Sequence, residues 1–494
     1  MKIPIDKLKS TPILLLVVSG TLTAFGLLVW AFPNANDSIT TGNFDSTVAS
    51  SGSLQIPALL DYRLEDGVKN FSLTAQKGSY EFVEGVPSDT SGFNGDILGP
   101  TIRISENDEV NIAVTNELGE QTTSHWHGAV VPGDADGGVH NIIQPNEIWN
   151  ARFKVRQEAA TLWYHPHQHE ETARQVYEGL GGMMLIYDEK SKNLNIPKEY
   201  GVDDIPVIIQ SKDLDSNGKL IAYSTSQHDR THGFAGNTVL INAQIKPSLN
   251  VNTNLVRLRI LNGSNSDLYK VSLSNGEPFY VVASDGGFYN EPIKRTSLEV
   301  PNAKRFEILV DASKFAGQSV SLNVNGESQL TMNASNNLAD KYEVPTTTNT
   351  LTAVNYDGSV DRDFDLEFLM GRGTRMGMGG TYGINGRLFD MERIDFEVKA
   401  GDVEYWKITN VGRPGPGLFH PFHVHATQFD IVEFNSKQPD KLQEGRHDTI
   451  YLAENDTAVI AVPFGESIEG LFLFHCHILE HEDGGMMGQF EVII

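Results

Sequence analysis

The chain has 494 residues, 39% of them hydrophobic and 21% charged, with a formal net charge of -26. This composition excludes a disordered polymer, and the excess of Asp and Glu excludes a nucleic-acid surface, which needs Lys and Arg against phosphate. The single cysteine, Cys476, excludes an internal disulfide and leaves one place for a thiolate ligand.

At the N-terminus, Lys2, Lys7 and Lys9 precede an uncharged run from Ser10 to Asn36 whose apolar heart is Pro12 to Phe32. A signal-peptide core takes ~7–15 apolar residues and a membrane span ~20. Residues 1–36 therefore read as a cleaved signal or as an anchor attaching the chain to a membrane through residues 10–34. Either exports the remainder, because the lysines stay inside. The expected location is the periplasm, soluble or tethered to the inner membrane. Residues 37–54 are rich in Ser, Thr, Gly and Asn and read as a flexible linker.

From residue 55 onward the chain shows short apolar or alternating runs such as EVNIAVTN, IPVIIQ, VRLRILN, RFEILVDA, VEYWKITN and TAVIAVPF. Gly, Asn, Asp and Pro break them, which predicts all-β sandwiches or barrels. A weak repeat supports several such units. Ile104–Asn116 and Val398–Asn410 each run turn, strand, Asn, and Val256–Ser264 fills a similar role between them. At ~100–200 residues per domain about three fit the length. The expected domains are 55–195, 200–350 and 360–494.

Ten of the 15 histidines fall into four clusters: His125 and His127; His165 and His167; His420, His423 and His425; and His475, His477 and His481, with Cys476 and Met486 alongside. In a strand, side chains two apart share a face, ~6.6 Å apart along the chain. Each His-x-His thus offers two imidazoles to one side. Four such pairs supply eight imidazoles, enough for three metal ions with positions open for oxygen. The same alternation turns Cys476 the other way, so its sulfur serves a different metal. Cys476, His420 and His481 with Met486 form a thiolate, two imidazoles and a weak thioether, the blue-copper electron-transfer set. A zinc site closes with four ligands and needs far fewer donors.

The motifs HWHG, WYHPHQH, HPFHVHATQF and HCHILEHEDGGMM resemble the four copper motifs of the multicopper oxidases, in the same order. The resemblance extends from about residue 55 to the end and is strongest to the laccase and bacterial copper-efflux oxidase branch. It implies three cupredoxin-like Greek-key β-sandwich domains, four copper ions and the reduction of dioxygen to water at the expense of a small reduced substrate. The resemblance implies that His420, Cys476, His481 and Met486 hold the type 1 copper and that His125 and His423 hold the type 2 copper. It implies that His127, His165 and His477 hold one type 3 ion and that His167, His425 and His475 hold the other. It also implies that Asp136 and Glu482 supply protons.

His169 is expected on the same strand face as His165 and His167, hydrogen-bonded behind the metals. His140, His228, His232 and His447 are expected at the surface, and Met183 and Met184 in the core. Two substrate classes stay open. One is phenols and aromatic amines; the other is cuprous or ferrous ion. The copper-efflux branch carries a Met-rich insert before the main strands of the third domain, where this chain has only Met370, Met376 and Met378. The Asp and Met that the branch places before His420 are replaced by Pro416 and Leu418. A monomer is expected. The competing class is a structural or cell-division protein of the same fold that has lost its coppers, which the intact ligand positions disfavour.

Overall fold

The computed structural model describes residues 52–369, 381–412 and 418–494. The N-terminal run, most of the linker, the three methionines at 370, 376 and 378, and Pro416 lie outside the described residues. Among the described residues the strands form six sheets, which pair off along the sequence into three sandwiches. The first sandwich packs a five-stranded sheet centred on Val68–Val83 and Glu109–Glu117 against a four-stranded sheet that contains His125–His127 and Ala160–His165. The second and third each pack a six-stranded sheet on a five-stranded one. Strands His420–Val424 and Gly470–Cys476 lie side by side in the third sandwich's five-stranded sheet. The strand pattern predicts these all-β sandwiches, and the family resemblance implies their cupredoxin-like form.

Each sandwich has its own apolar core, built around Val110 and Ile112, Leu258 and Ile260, and Trp406 and Ile408 respectively. Glu109–Glu117 alternates buried and exposed side chains, as a strand with one wet face must. Asp204–Lys212 and Leu255–Asn262 are buried at every position. Their sheet is covered on both faces, because a further apolar cluster joins Trp163, Tyr177 and Met183 to Ile208 and Leu240 across the first and second sandwiches.

The repeat seen in the sequence is structural. Glu109–Glu117, Leu255–Asn262 and Val403–Gly412 each pair parallel to an earlier strand and antiparallel to a later one. Each carries one buried Asn at or near its end. Asn116 donates to the carbonyls of Glu120 and Ile143, Asn262 to those of Asp267 and Val300, and Asn410 to those of Leu418 and Leu452. Each side-chain oxygen accepts the amide of the residue two positions on. One residue type therefore satisfies three backbone groups where a strand breaks into a loop, which is why Asn recurs there.

The linker ends earlier than its composition suggests. Leu54 donates its amide to the Ser248 carbonyl at 2.7 Å and packs into the second sandwich's core. Gln55 is tied to Gln244 and Asn242 of the same sandwich. The helices are short, Thr172–Glu178 being seven residues. No helix among the described residues is long and apolar enough to cross a membrane.

Candidate metal centre

Strand register brings the histidines together. His125 stands opposite His165, and His423 opposite His475, with Cys476 opposite Phe422. The first and third sandwiches meet across this seam, where His127 stacks on His423 at 3.7 Å and His125 on His425 at 3.8 Å between ring centroids. Three triads of donor atoms result, each within 4.8 Å: His127, His165 and His477; His167, His425 and His475; and His125, His423 and His425. All eight rings are buried.

In most of these rings the two nitrogens divide. On the outside, His125 Nδ1 lies 3.0 Å from the Asp136 carbonyl, His165 Nδ1 2.8 Å from that of Pro166, and His423 Nδ1 2.7 Å from that of Asp448. His475 Nδ1 faces the Cys476 carbonyl at 3.0 Å, and His425 Nδ1 faces Asp136 Oδ2 at 2.8 Å. These partners are acceptors, so the outer nitrogen carries the proton and the inner one presents a lone pair. On the inside, His125 Nε2, His127 Nδ1, His165 Nε2 and His423 Nε2 are buried with no hydrogen-bond partner, as are both nitrogens of His477. His475 Nε2 faces the Nε2 atoms of both His167 and His425 at 3.2 Å. Buried lone pairs aimed at one another are costly unless cations lie between them. Burial lowers the pKa of His475 to about 3 and drives those of His165, His167, His423, His425 and His477 far below the ordinary value, with neighbouring imidazoles adding to it. Neutral imidazoles are the form that binds metal. The residues present fit a group of copper ions.

Two carboxylates flank the cluster. Asp136 accepts from His425 through Oδ2 and leaves Oδ1 buried and unpaired. Glu482 turns its oxygens to His167 Nδ1 at 3.4 Å and His475 Nδ1 at 3.3 Å. Burial, then the charge of Asp483, pushes the Glu482 carboxyl well above the ordinary carboxylate range. The positive-φ Gly137 that follows Asp136 has no room for a Cβ, which would run into the Ser124 backbone.

The second centre is one residue away. Cys476 Sγ lies 3.3 Å from His420 Nδ1 and 3.7 Å from His481 Nδ1, and accepts the Ile478 amide at 3.4 Å. Met486 is buried here, its carbonyl holding the Cys476 amide and its amide held by the His481 carbonyl. His475 points to the cluster and Cys476 into the third core, the opposite orientations that strand alternation predicts. Burial pushes the thiol pKa well up, so a metal must displace the proton. His420 and His481 are each only 2% exposed. Tyr382 covers both, its ring 4.3 Å from His481 and 5.0 Å from His420.

Two expectations about histidines are corrected. His447 is buried rather than at the surface: its Nδ1 lies 2.9 Å from Lys304 Nζ and 3.6 Å from Asp285, inside a charged network. His169 lies beyond the strand end at His165, belongs to none of the donor triads, and packs edge-on against Phe389 with a buried, unbonded Nδ1. His140 is exposed and bonded to Gln489 at 2.7 Å, and Met183 and Met184 are fully buried.

Sequence reasoning missed Asp448. Its carboxylate accepts from His127 Nε2 at 3.0 Å and from Arg305 Nη1 at 2.8 Å, and Arg305 Nη2 also bonds it. Gly128 of the HWHG motif is explained by the same group, since a Cβ there would strike Asp448 and Arg305. Its signal was slight: one Asp in RHDTI, with no periodicity to mark it.

Three cupredoxin-like sandwiches, with a Cys-bridged pair of candidate centres at the seam of the first and third, define a protein of the multicopper class. A family model described as multicopper oxidase matches residues 74–191, and a second of the same description matches 345–493. The chain is 40% identical over 442 residues to multicopper oxidase mco of Staphylococcus aureus, covering 89% of this chain and 92% of that protein. It is 34% identical over 450 residues to cell division protein FtsP of Escherichia coli, covering 88% and 92%. A laccase crystal structure from Pediococcus acidilactici superposes with a TM-score of 0.83 at 32% identity, covering 91% of this chain and 95% of that one. The chain belongs to the multicopper oxidase family, which implies copper binding.

Proposed function

We propose that the protein is an active copper-dependent oxidoreductase that takes single electrons from a reduced substrate and passes them to dioxygen. The observation that carries this is the inward set of buried, unpartnered imidazole nitrogens, joined to the thiolate centre through Cys476. A purely structural member of the fold has no use for such a set, which costs stability without metal. It also weighs against transferring a cell-division role from the FtsP relatives.

In this proposal His420, Cys476, His481 and Met486 hold one copper, and the eight remaining histidines hold three. His125 and His423 take one ion, and the two triads take the other pair. The coppers, when bound, supply one-electron acceptance at the thiolate centre and four-electron reduction of dioxygen at the cluster. The chain supplies the rest. His475 and His477 adjoin Cys476 along the backbone, ~3.8 Å per Cα step, giving a covalent path between centres. Glu482 faces His167 and His475, where it is placed to relay protons toward the cluster, and Asp136 fixes His425. The separation keeps the substrate away from oxygen chemistry. Export through residues 1–36 to the periplasm belongs to the same proposal, supported by the lysines before the apolar run.

The substrate classes are phenols or aromatic amines and cuprous or ferrous ion. Oxygen uptake by the copper-loaded protein, offered a phenol and cuprous ion in parallel, tests the proposal. Uptake is expected with at least one of them, and Cys476→Ser should lose both uptake and the blue absorption. A Cys476→Ser variant that keeps its activity refutes the scheme.

A further inference from the structure

His481 does not face solvent. Its Nε2 lies 3.2 Å from the carbonyl oxygen of Thr231, in the short helix Gln227–His232 of the second sandwich. Because that oxygen only accepts, His481 carries its proton on Nε2 and turns the Nδ1 lone pair toward Cys476. The helix is fixed there. Glu480, one residue before His481, accepts from Tyr223 Oη at 2.8 Å on one side of the helix and from the Phe234 amide at 2.9 Å on the other. Gly233 closes the helix at φ +80, and a Cβ on it would meet Ser266 and Ile478.

This helix carries two of the histidines that the copper motifs leave unused. His228 and His232 stand four apart, on one helical face, with rings 4.2 Å between centroids. His228 is exposed and His232 half-exposed. His232 Nδ1 donates to the His228 carbonyl at 3.2 Å, so its Nε2 keeps a free lone pair. The nearest carboxylate in sequence, Asp229, is occupied with the Ser226 cap at the helix start. The pair is therefore an all-nitrogen donor set, the spacing by which one helix offers two imidazoles to a metal.

We propose that His228 and His232 form the docking site for a cuprous substrate ion. The proposal rests on the oxidase function proposed above and names one substrate class for it. Two imidazole donors suit a monovalent copper ion of low coordination number; magnesium and calcium need oxygen ligands, and structural zinc closes with four donors. The exposed His228 ring, stacked on His232, must turn for both nitrogens to reach one ion. The bound ion lies one residue from the carbonyl that holds His481, so the path runs down the His232 side chain, across the Thr231 peptide and over a single hydrogen bond. Each cuprous ion gives up one electron and leaves as cupric ion, and the centre on His420, Cys476 and His481 takes that electron. Four such steps, with four protons, convert one dioxygen to two waters. A two-ligand site also releases its product readily, which a closed site does not.

The test uses copper-loaded enzyme. Fully reduced under anaerobic conditions, it is titrated with cuprous ion against bicinchoninate as competing chelator. One cuprous ion beyond the resident coppers is expected, and His228→Gln and His232→Gln should each abolish it. In aerobic assays the cuprous concentration giving half-maximal oxygen uptake should rise about tenfold or more in either variant, with the blue absorption intact. Variants that stay blue yet hold and oxidise cuprous ion as the native enzyme does would overturn the docking site. A copper-loaded native chain without blue absorption would instead overturn the oxidase proposal.

Discussion

Arg305 offers a test of how the second sandwich, which supplies none of the ligands proposed for the resident coppers, supports the cluster. Its guanidinium is fully buried and donates to Asp448, to the carbonyls of Thr161 at 2.9 Å and Ala303 at 3.0 Å, and to the Asp285 carbonyl at 3.3 Å. Burial opposes its charge, but Asp448 and Asp285 outweigh this and raise its pKa. Asp448 in turn holds His127, so one chain of contacts crosses all three sandwiches. Arg305→Met keeps most of the volume and removes the charge, leaving Asp448 buried against two neutral partners, His127 and Thr449. Breaking a buried ion pair from one side costs about 3–5 kcal/mol, a fifth or more of the ~5–15 kcal/mol that stabilises a typical domain. Loosened support for a metal-bound imidazole lowers metal affinity about 10- to 100-fold. Urea unfolding should show the stability loss. Copper analysis after mild chelation should show depletion of the cluster while the blue absorption of the Cys476 centre persists. A variant with native stability and full copper would refute this chain of support.

Lys212 is buried, bonded to the Tyr177 carbonyl and 5.1 Å above that ring, and burial lowers its pKa from 10.5 to about 7. Below pH 7 the folded chain must bury a charge. Between pH 7 and 10.5 the unfolded chain binds the extra proton, so native stability rises across that window by up to about 5 kcal/mol. Lys212→Met should be more stable at pH 6 by about 2 kcal/mol, after the lost hydrogen bond is counted, and denaturant unfolding should show its advantage vanishing by pH 10. Asn410→Ala removes three hydrogen bonds of a buried side chain at the end of Val403–Gly412 and should cost about 3 kcal/mol in the same measurement; a loss under 1 kcal/mol would show that the loops find other partners.

The copper seam was legible because its information is local. His-x-His on a strand fixes both direction and spacing, and Cys476 between two histidines had to face away from them. The recurrent Asn at 116, 262 and 410 was legible as a repeat, although its work in holding three backbone groups was not. What stayed hidden depends on approach between distant segments. Asp448 is 321 positions from His127 and 143 from Arg305. His447 looked like a surface residue because its partners, Lys304 and Asp285, come from another sandwich. His169 was misplaced for a smaller reason: the strand that sets the alternation stops at His165.

The edge of the thiolate centre shows the same limit with a functional consequence. The short methionine stretch, seen alone, argues for an open site and an organic substrate. The structure sets a second-sandwich helix against His481 instead, pinned on both sides by Glu480, and leaves that imidazole 2% exposed. A phenol therefore cannot lay its ring directly on His481 from the side that Thr231 occupies. In the proposed scheme electrons entering on that side cross the Thr231 carbonyl, and the same short helix carries His228 and His232. Few methionines in one stretch and an imidazole pair on another element are then compatible with a single outcome, a metal donor held on the helix that covers His481.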